Sequence, residues 1–255
     1  MTRPSVLVTG GARRIGAAIS RRFAQADWHV AIHCCRSIRE AQELCEELPS
    51  AEVVRCDLTD SGAATALIAE LAERLIDWRA LVNSASVFRP DTAECLDIGT
   101  SWEAMQVNAV TPAMIAQAYL RLARSSAGRR VIQFTDQKLA NPNPDFFSYT
   151  MSKHAAAAMV PMLAMAAPPG DRIYALAPGA ILASHDQQPG EAEVSHRMNL
   201  LGRRTSAEEV ADAAFFLATG PLESGQTLFV DSGQHLLAQP RDVMYLAREQ
   251  GKTPA

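Results

Sequence analysis

The chain has 255 residues, of which 48% are hydrophobic and 20% are charged, and its formal net charge is -4. This composition excludes a disordered chain, a collagen and a small disulfide scaffold, and it suits an α/β domain. A mildly acidic balance gives no support for nucleic-acid or anionic-membrane binding, because both need clustered positive charge.

The cysteines and the apolar stretches indicate the cellular compartment in which the protein is expected. The five cysteines are odd in number and contain no C-x-x-C pair, so they predict neither a disulfide framework nor a zinc site. We therefore expect no metal and a reducing, cytoplasmic setting. The N-terminus lacks the apolar region of a signal peptide. Residues 155–167, the longest apolar stretch, fall short of the roughly 20 residues that span a bilayer, so we expect no membrane segment.

Seven short apolar runs recur along the chain, with room for a helix between them. They are continuous rather than alternating, which is typical of strands buried on both faces of a parallel sheet. The runs lie at residues 6–8, 30–32, 53–54, 80–82, 131–134, 173–176 and 228–230. We therefore predict an α/β single-domain Rossmann fold, a doubly wound seven-stranded parallel sheet flanked by helices.

Helix starts and loops are also predicted from local sequence. Three Ser/Thr-x-x-Glu sequences predict capping boxes. They are Ser37 with Glu40, Thr100 with Glu103, and Ser206 with Glu209. Polar residues 184–201 predict a long loop with room for a short helix, and its two histidines, His185 and His196, are predicted to lie at the surface. One domain then covers residues 1–239, and the charged residues 240–255 predict a loosely held C-terminal tail.

A glycine-rich turn follows the first strand. Residues 9–16 contain three glycines and open a helix that runs to about Ala26. Glycine lets a pyrophosphate approach the backbone, and the helix N-terminus offers free N–H groups and a positive dipole end. The alternative is a turn that binds nothing, since glycine patterns alone are weak evidence.

The tip of the second strand predicts which dinucleotide binds. Residues 33–37 contain no acidic residue that would bind the ribose 2′-hydroxyl of NAD, whereas Arg36 and Ser37 suit the 2′-phosphate of NADP. We therefore predict NADPH, the alternative for Arg36 being a solvent-facing side chain. Asp57 could accept a bond from the adenine amino group, or it could cap a helix just before Asp60.

A phenol and an ammonium lie four residues apart at Tyr149 and Lys153, on one face of a predicted helix. The pKa of an ordinary tyrosine, near 10, must fall by about 3 for the phenol to act as a useful acid or base near neutral pH. A nearby positive charge can supply that change.

Several motifs now stand in a fixed order. They are residues 9–16, residues 83–86, Asn108, Tyr149 with Lys153, and Pro178 with Gly179. Together they resemble the short-chain dehydrogenase/reductase family, and the resemblance continues to residues 231–234. It implies that Tyr149 is the proton donor, that Lys153 holds the nicotinamide ribose and lowers the pKa of Tyr149, and that Asn108 supports a water relay to Lys153. A solvated surface asparagine is the alternative for Asn108.

The resemblance also implies a cofactor site, a loop at 184–201 that closes over substrate, and a homodimer or homotetramer packed through residues 155–167. The implied cofactor residues are Gly10, Arg13, Arg14, Ile15, Gly16, His33, Arg36, Ser37, Asp57, Leu58, Asn83, Ala85, Ser86, Lys153, Pro178, Gly179 and Ile181.

Departures from the family pattern narrow the resemblance. Most members carry Gly or Ala where this chain has Arg14, and Ser where it has Asp136, 13 residues before Tyr149. With Arg36 and Phe88, these changes resemble the pteridine reductase branch, which includes bacterial dihydromonapterin reductases. The likeness implies that Asp136 helps Tyr149 protonate a ring nitrogen. It further implies that Phe88 stacks on the pterin and that Arg14 reaches the cofactor phosphates and the substrate.

Elementary chemistry supports an aspartate, Asp136, at the position where most members carry a serine. A hydroxyl can bond to a carbonyl oxygen, but reduction of a C=N bond needs a proton delivered to nitrogen, for which a carboxyl coupled to a phenol is better suited. The alternatives are a strand-end cap for Asp136 and a core or lid side chain for Phe88.

We therefore expect an NADPH-dependent reductase acting on a small molecule, a dihydropterin-like C=N bond. A reductase of ketones or 3-oxoacyl thioesters is one alternative. A non-catalytic NADP-binding sensor or scaffold is another, disfavoured because it would need neither Tyr149 nor Lys153.

Overall fold

Strands and helices alternate through the part of the chain that the computed structural model describes, residues 3–183 and 187–250. Ser184 and His185 of the predicted loop lie outside the described residues, as do the last five residues of the predicted tail. The strands are β1 (Ser5–Thr9), β2 (His29–Cys34), β3 (Ala51–Arg55), β4 (Trp78–Asn83), β5 (Arg130–Phe134), β6 (Arg172–Pro178) and β7 (Thr227–Val230). All pair in parallel, in the order β3-β2-β1-β4-β5-β6-β7.

Helices cover both faces of this sheet. They are α1 (Arg14–Gln25), α2 (Ile38–Glu47), α3 (Ser61–Arg74), α4 (Ile98–Met105), α5 (Thr111–Leu122), α6 (Phe147–Ala166), α7 (Pro189–His196), α8 (Ala207–Thr219) and α9 (Val243–Gln250). A π-helical turn, Gln106–Val110, joins α4 to α5, and short 3₁₀ turns lie at Gln137–Leu139 and Gln234–Leu236. No helix in the described ranges is long and apolar enough to cross a membrane.

Strand β1 explains why the apolar runs are continuous. Val6 and Val8 pack into one core layer with Phe23 of α1, while Leu7, between them, packs into the opposite layer with Leu71 of α3. Both faces of the strand are covered, so each position favours an apolar side chain. The predicted doubly wound seven-stranded sheet is confirmed.

The two edge strands depart from that rule. In β3 only Val54 is buried, and in β7 the ring of Phe229 is partly exposed and stacks on His235, with centroids 4.0 Å apart. The prediction that every strand is buried on both faces is therefore wrong at the edges, where one neighbouring strand is absent and the helix layers end.

One of the three predicted capping boxes forms. Ser206 Oγ accepts from the Glu209 N–H at 3.2 Å, and the Glu209 carboxylate accepts from the Ser206 N–H at 2.8 Å. The other two predictions are wrong. Ser37 makes no side-chain cap bond, and Thr100 lies inside α4, whose cap is Asp97. The Asp97 carboxylate accepts from the Thr100 N–H and starts the helix earlier than the Thr-x-x-Glu pattern indicated.

The predicted loop and the predicted tail each contain a helix. Helix α7 is the short helix for which residues 184–201 leave room. The prediction that His196 lies at the surface is wrong, because it is buried at the end of α7, and burial lowers its pKa. Helix α9 lies within the predicted tail, and its Val243, Met244 and Ala247 are buried. Residues 243–250 therefore belong to the packed structure rather than to a loosely held tail.

Candidate active site

A cavity of about 650 Å³ opens at the carboxyl ends of the central strands. It lies where β1 separates β2 from β4, the point at which the strand order reverses and where ligands bind in open α/β sheets. The predicted site residues that line it are Gly10, Arg13, Arg14, Ile15, Gly16, His33, Arg36, Ser37, Asp57, Leu58, Ala85, Ser86, Tyr149, Lys153 and Pro178. Residues from distant parts of the sequence thus surround one space.

Three predicted cofactor residues lie behind the cavity wall. Asn83 is buried, and its amide nitrogen donates to Gln133 Oε1 at 3.1 Å. Ile181 is buried in the core. Gly179 is packed so closely that an added Cβ would stand 2.7 Å from Gln234 Oε1. These residues shape the strand ends without lining the cavity, and their contact with the cofactor stays a prediction.

The glycine loop is held in a conformation that side chains would block. Gly10 has a φ of +64°, in the left-handed region. A Cβ on Gly16 would stand 2.1 Å from the carbonyl oxygen of Gly10. Glycine at both positions therefore lets the turn fold directly onto the start of α1, whose N–H groups form an anion-binding end.

His33 fixes this loop to the strand tips. Its Nδ1 accepts from the Gly10 N–H at 3.1 Å, and its Nε2 donates to the Cys56 carbonyl at 3.1 Å. The His33 carbonyl also accepts from the Gly11 N–H at 3.0 Å. Burial lowers the pKa of His33 to about 4, so the ring stays neutral. Both ring nitrogens are occupied, and His33 positions the loop rather than offering a free group to a ligand.

The adenosine end of the cavity is polar. Arg36 and Ser37 line it beyond the tip of β2, as does Asp57 after β3. The Asp57 carboxylate accepts from the N–H and the hydroxyl of Thr59, each at 2.9 Å, which lowers the pKa of Asp57. Asp60 caps α3, so the alternative of Asp57 as a helix cap is excluded.

The predicted reacting residues meet at the other end. Tyr149 Oη donates to Asp136 Oδ2 at 2.6 Å. The other carboxylate oxygen of Asp136 accepts from the Lys138 N–H at 2.8 Å and caps a 3₁₀ turn. Asp136 is thus a partner of the phenol and a strand-end cap at once, and the two alternatives are compatible.

Electrostatics at this pair differ from the expectation. Burial, then the negative charge of Asp136, raise the pKa of Tyr149 well above its usual value, and burial raises the pKa of Asp136. Lys153 Nζ donates to the Phe134 carbonyl at 2.9 Å and lies 5.6 Å from the Tyr149 ring centroid, and burial lowers the pKa of Lys153 to about 8. The prediction that Lys153 lowers the pKa of Tyr149 is therefore wrong here, and the pair retains its proton.

Asn108 lies buried in the π-helical turn, where such turns often accompany functional sites. Its Oδ1 accepts from the Ser86 hydroxyl at 3.1 Å and the Val87 N–H at 2.8 Å. Its Nδ2 donates to the Val87 carbonyl and to Ser152 Oγ, both at 2.9 Å. This geometry excludes a solvated surface asparagine. The side chain is fully used in tying the β4 loop to α6, and the support of a water relay to Lys153 stays a prediction.

Phe88 is 37% exposed and does not line the cavity. Its ring stacks on Phe146, with centroids 4.0 Å apart, and meets the Tyr149 ring edge-on at 4.7 Å. The face that sequence analysis assigned to a substrate thus packs on Phe146, directly beside the phenol.

Arg14 joins two walls of the site. Its guanidinium donates to the carbonyls of Leu182 at 3.2 Å and Ala183 at 2.9 Å, just after β6. Its φ of +54° is in the left-handed region, at a cost of about 1 kcal/mol for a residue other than glycine. Glycine would adopt this backbone conformation without that cost.

Residues that the sequence did not predict for the site lie in the cavity wall and behind it. Thr9 Oγ1 accepts from the N–H groups of Ser84 and Ala85 at 3.0 and 3.1 Å and joins the glycine loop to β4. Arg89 and Glu103 form an ion pair of 2.9 Å in the wall. Thr9 had a local signal, its place before the first glycine, whereas the Arg89 pair has none. No cluster of metal-ligating side chains exists among residues 3–183 and 187–250.

Known proteins resemble this chain over nearly its whole length. The family model described as enoyl-(acyl carrier protein) reductase matches residues 10–235. The crystal structure of FolM alternative dihydrofolate reductase 1 from Brucella suis, in complex with NADP, is 34% identical, with a TM-score of 0.86 over 92% of this chain and 96% of that one.

Two curated proteins extend the comparison in different directions. The granaticin polyketide synthase putative ketoacyl reductase 2 of Streptomyces violaceoruber is 29% identical, over 92% of this chain and 97% of its own. The dihydromonapterin reductase of Escherichia coli is 25% identical, over 91% of this chain and 96% of its own. Pterin and carbonyl reductases both stand among the relatives.

Proposed function

The chain belongs to the short-chain dehydrogenase/reductase family of oxidoreductases, and from that premise we propose that it reduces a dihydropterin-like C=N bond with NADPH. The 2.6 Å hydrogen bond from Tyr149 Oη to Asp136 Oδ2 carries this proposal. A carboxyl coupled to a phenol suits proton delivery to nitrogen, whereas a hydroxyl in its place would suit a carbonyl oxygen.

The cavity residues fit a nicotinamide dinucleotide. Gly10 and Gly16 leave the backbone open where a pyrophosphate would approach α1. Arg36 and Ser37 would hold a 2′-phosphate, since none of residues 33–37 is acidic. Lys153 would hold the nicotinamide ribose. The NADP complex of the Brucella suis relative supports this choice. When bound, NADPH supplies the hydride.

Tyr149 and Asp136 hold the proton that the substrate nitrogen receives. Burial raises the pKa of both groups, and the negative charge of Asp136 raises that of Tyr149 further, whereas the hydrogen bond from Tyr149 lowers that of Asp136. The phenol therefore keeps its proton at neutral pH until a substrate nitrogen accepts it. The phenol hydroxyl is the donating atom, and the carboxyl shares the charge left behind.

Phe88 and Arg14 are proposed to orient the substrate. A flat ring that contacts Phe88 comes close to the phenol, since the rings of Phe88 and Tyr149 lie 4.7 Å apart. Arg14 lines the cavity beside the glycine loop, where its guanidinium would contact both the cofactor phosphates and the substrate.

A substrate panel tests the proposal. NADPH oxidation would be followed at one pH with dihydrobiopterin, dihydromonapterin, dihydrofolate, a ketone and a 3-oxoacyl thioester. We expect kcat/KM to be largest for a dihydropterin. Turnover of the carbonyl substrates with none of the dihydropterins overturns the assignment of the C=N bond.

Carbonyl reduction is the second candidate, supported by the ketoacyl reductase relative. Asp136→Ser separates the two, because it restores the residue that most family members carry. We expect this variant to lose dihydropterin reduction and to gain relative activity on the carbonyl substrates. A wild-type preference for carbonyls that Asp136→Ser leaves unchanged favours the second candidate.

We also propose a homo-oligomer, a dimer or tetramer. Trp102 of α4 and Met165 of α6 are 71% and 81% exposed, and Ile98 and Met162 lie exposed on the same two helices. Large apolar side chains in such number at one surface are typical of an interface. Sedimentation at micromolar concentration should give a multiple of 27.5 kDa, and a monomer alone contradicts the proposal.

The proposed setting is the reducing cytoplasm. All five cysteines are free thiols, two of them buried and one exposed. Unpaired exposed thiols suit a compartment that keeps them reduced.

A further inference from the structure

Lys138 is a buried cation that the proposed reaction does not use. It follows Asp136 by two residues, and only 4% of it is exposed. An ammonium withdrawn from water is costly unless anionic and carbonyl groups surround it. The partners of Lys138 therefore indicate what it stabilises.

Two distant segments meet at this lysine. Its Nζ donates to the main-chain carbonyl of Asp145 at 2.7 Å and to Asp242 Oδ2 at 3.3 Å. The buried carboxylate of Asp145 accepts from Arg241 Nε and from the Asp242 N–H, both at 2.8 Å. The turn before α9 is thus fixed to the segment before α6 by two ion pairs.

Helix α9 in turn packs on the aromatic side chains behind the phenol of Tyr149. Met244 is buried in one cluster with Phe146 and Tyr149, and Tyr245 stacks on Phe146 with centroids 5.9 Å apart. Phe146 has a φ of +53°, an unfavourable conformation that surrounding structure must hold in place. The packing of α9 supplies part of that support directly behind the phenol.

We propose that Lys138 is a positioning residue: by joining the Asp145 carbonyl to the Asp242 carboxylate, it keeps α9 packed behind Phe146 and Tyr149 and holds Asp136 against Tyr149. This inference rests on the proposed function for its kinetic test, but the contacts that carry it do not depend on the substrate.

The charges around the Tyr149–Asp136 pair distinguish a positioning role of Lys138 from a simple loss of structure. The charged groups that face the Tyr149–Asp136 pair are Lys153 on α6, Lys138 on the 3₁₀ turn and Asp242 before α9. The positive charge of Lys138 lowers the pKa of Asp136, and the negative charge of Asp242 raises the pKa of Tyr149. Removing the charge of Lys138 should therefore raise the pKa of the pair, and removing the charge of Asp242 should lower it.

The first experiment measures kcat against pH for NADPH-dependent dihydrobiopterin reduction in Lys138→Met and Asp242→Asn. We expect kcat to fall about tenfold in Lys138→Met, with the alkaline limb moved up by about 0.5 to 1 pH unit. In Asp242→Asn the limb should move down. Shifts in the same direction, or none, overturn the inference. If Lys138→Met folds poorly, Asp242→Asn still decides the outcome. This variant keeps the ammonium of Lys138, and the alkaline limb of its pH profile should move down.

Arg129→Met is the matched control. It removes a cation paired with the buried carboxylate of Asp171 at 2.6 Å, at the opposite ends of β5 and β6. Its loss of stability should be comparable, while its pH profile stays that of the wild type. A control that moves the limb as far as Lys138→Met would assign the effect to general destabilisation.

The second experiment is independent of substrate. Amide hydrogen exchange is measured on the full chain with NADP⁺ bound, in wild type, Lys138→Met and Arg129→Met. Exchange should rise at least threefold in both residues 137–147 and α9 of Lys138→Met, and in neither segment of the control. A rise confined to one segment contradicts the inference. Wild-type inactivity on every dihydropterin instead overturns the proposed function and leaves this result decisive for Lys138.

Discussion

The two ends of the cavity are built in different ways. At the cofactor end, residues 9–16 and residues 33–37 follow directly after neighbouring strands, and glycine geometry decides the shape. At the reacting end, Asp136, Tyr149 and Met244 come from separate segments, and buried charges decide the chemistry. The first end depends on local backbone, and the second depends on long-range packing around groups that are costly to bury.

The difference predicts that the two ends can be damaged separately, and the largest effect belongs to the reacting end. Tyr149→Phe and Asp136→Ala should each lower kcat for dihydropterin reduction by about 10²- to 10⁴-fold, because each removes half of the proton-donating pair. The NADPH dissociation constant, from fluorescence titration, should stay within a few fold.

The double variant tests whether the two residues act as one unit. It should be little slower than the slower single variant, since effects within one unit are not additive. If Asp136→Ala kept full activity while Tyr149→Phe was inactive, Asp136 would serve only as a strand-end cap.

The next effect belongs to the cofactor end. Gly16→Ala places a Cβ 2.1 Å from the Gly10 carbonyl oxygen, so the loop must move. We expect NADPH binding to weaken by about 1 to 3 kcal/mol, as overpacking generally costs. Gly99→Ala, in the first turn of α4, is the control, because an added Cβ there would stand at an ordinary contact distance of 3.6 Å from Asp97 Oδ1. Equal NADPH affinity in Gly16→Ala and wild type would contradict the tight contact.

Lys153 belongs to both ends of the cavity. Because its ammonium is buried, its contribution to the free energy of unfolding depends on pH. Burial lowers its pKa from 10.5 to about 8, so between those values the unfolded chain binds more protons and the free energy of unfolding rises with pH. From pH 8 to 9.5 this contribution grows by about 1 to 2 kcal/mol.

Urea unfolding of wild type and Lys153→Met at both pH values checks this. The difference in unfolding free energy between the two proteins should change by that amount, in favour of the wild type at the higher pH. A difference that is constant with pH would mean that the pKa of Lys153 is not lowered in the folded protein.

The smallest effect concerns cofactor choice. Arg36→Ala should weaken NADPH binding about tenfold, or about 1.4 kcal/mol, and leave NADH binding unchanged, because only NADPH carries the 2′-phosphate. The wild type should prefer NADPH by at least the same factor. Equal affinities for the two cofactors in the wild type would sink the assignment of Arg36 and Ser37.

Sequence alone predicted the cofactor end better than the reacting end for a physical reason. Strand tips of a parallel sheet meet at one edge, so residues that follow buried runs, such as Gly10 and Arg36, can be brought together by topology alone. The same argument does not tell that Asn83 and Ile181 are buried behind the cavity wall, because side-chain direction at the strand end decides which residues face the cavity and which face the core.

At the reacting end, the sequence predicted the pairing of Tyr149 with Asp136 only through resemblance. Spacing gives no signal for Lys138 meeting Asp242, which are separated by 104 residues, or for α9 packing behind the phenol. The direction in which the pKa of Tyr149 shifts was also not predicted, since it depends first on burial and then on the negative charge of Asp136.

The parallel sheet has a consequence for the order of events during synthesis. Strands β1, β2 and β3 can pair once the first 55 residues have left the ribosome, but β1 gains its second neighbour only with β4. The buried ion pairs behind the phenol must wait for Asp242. At about 5 to 20 residues per second, roughly 10 to 40 s separate the first pairing from the last contact. During that interval the nascent chain carries an assembled glycine loop and an unfinished catalytic wall, with Phe146 and Tyr149 still uncovered by α9 and open to chaperones.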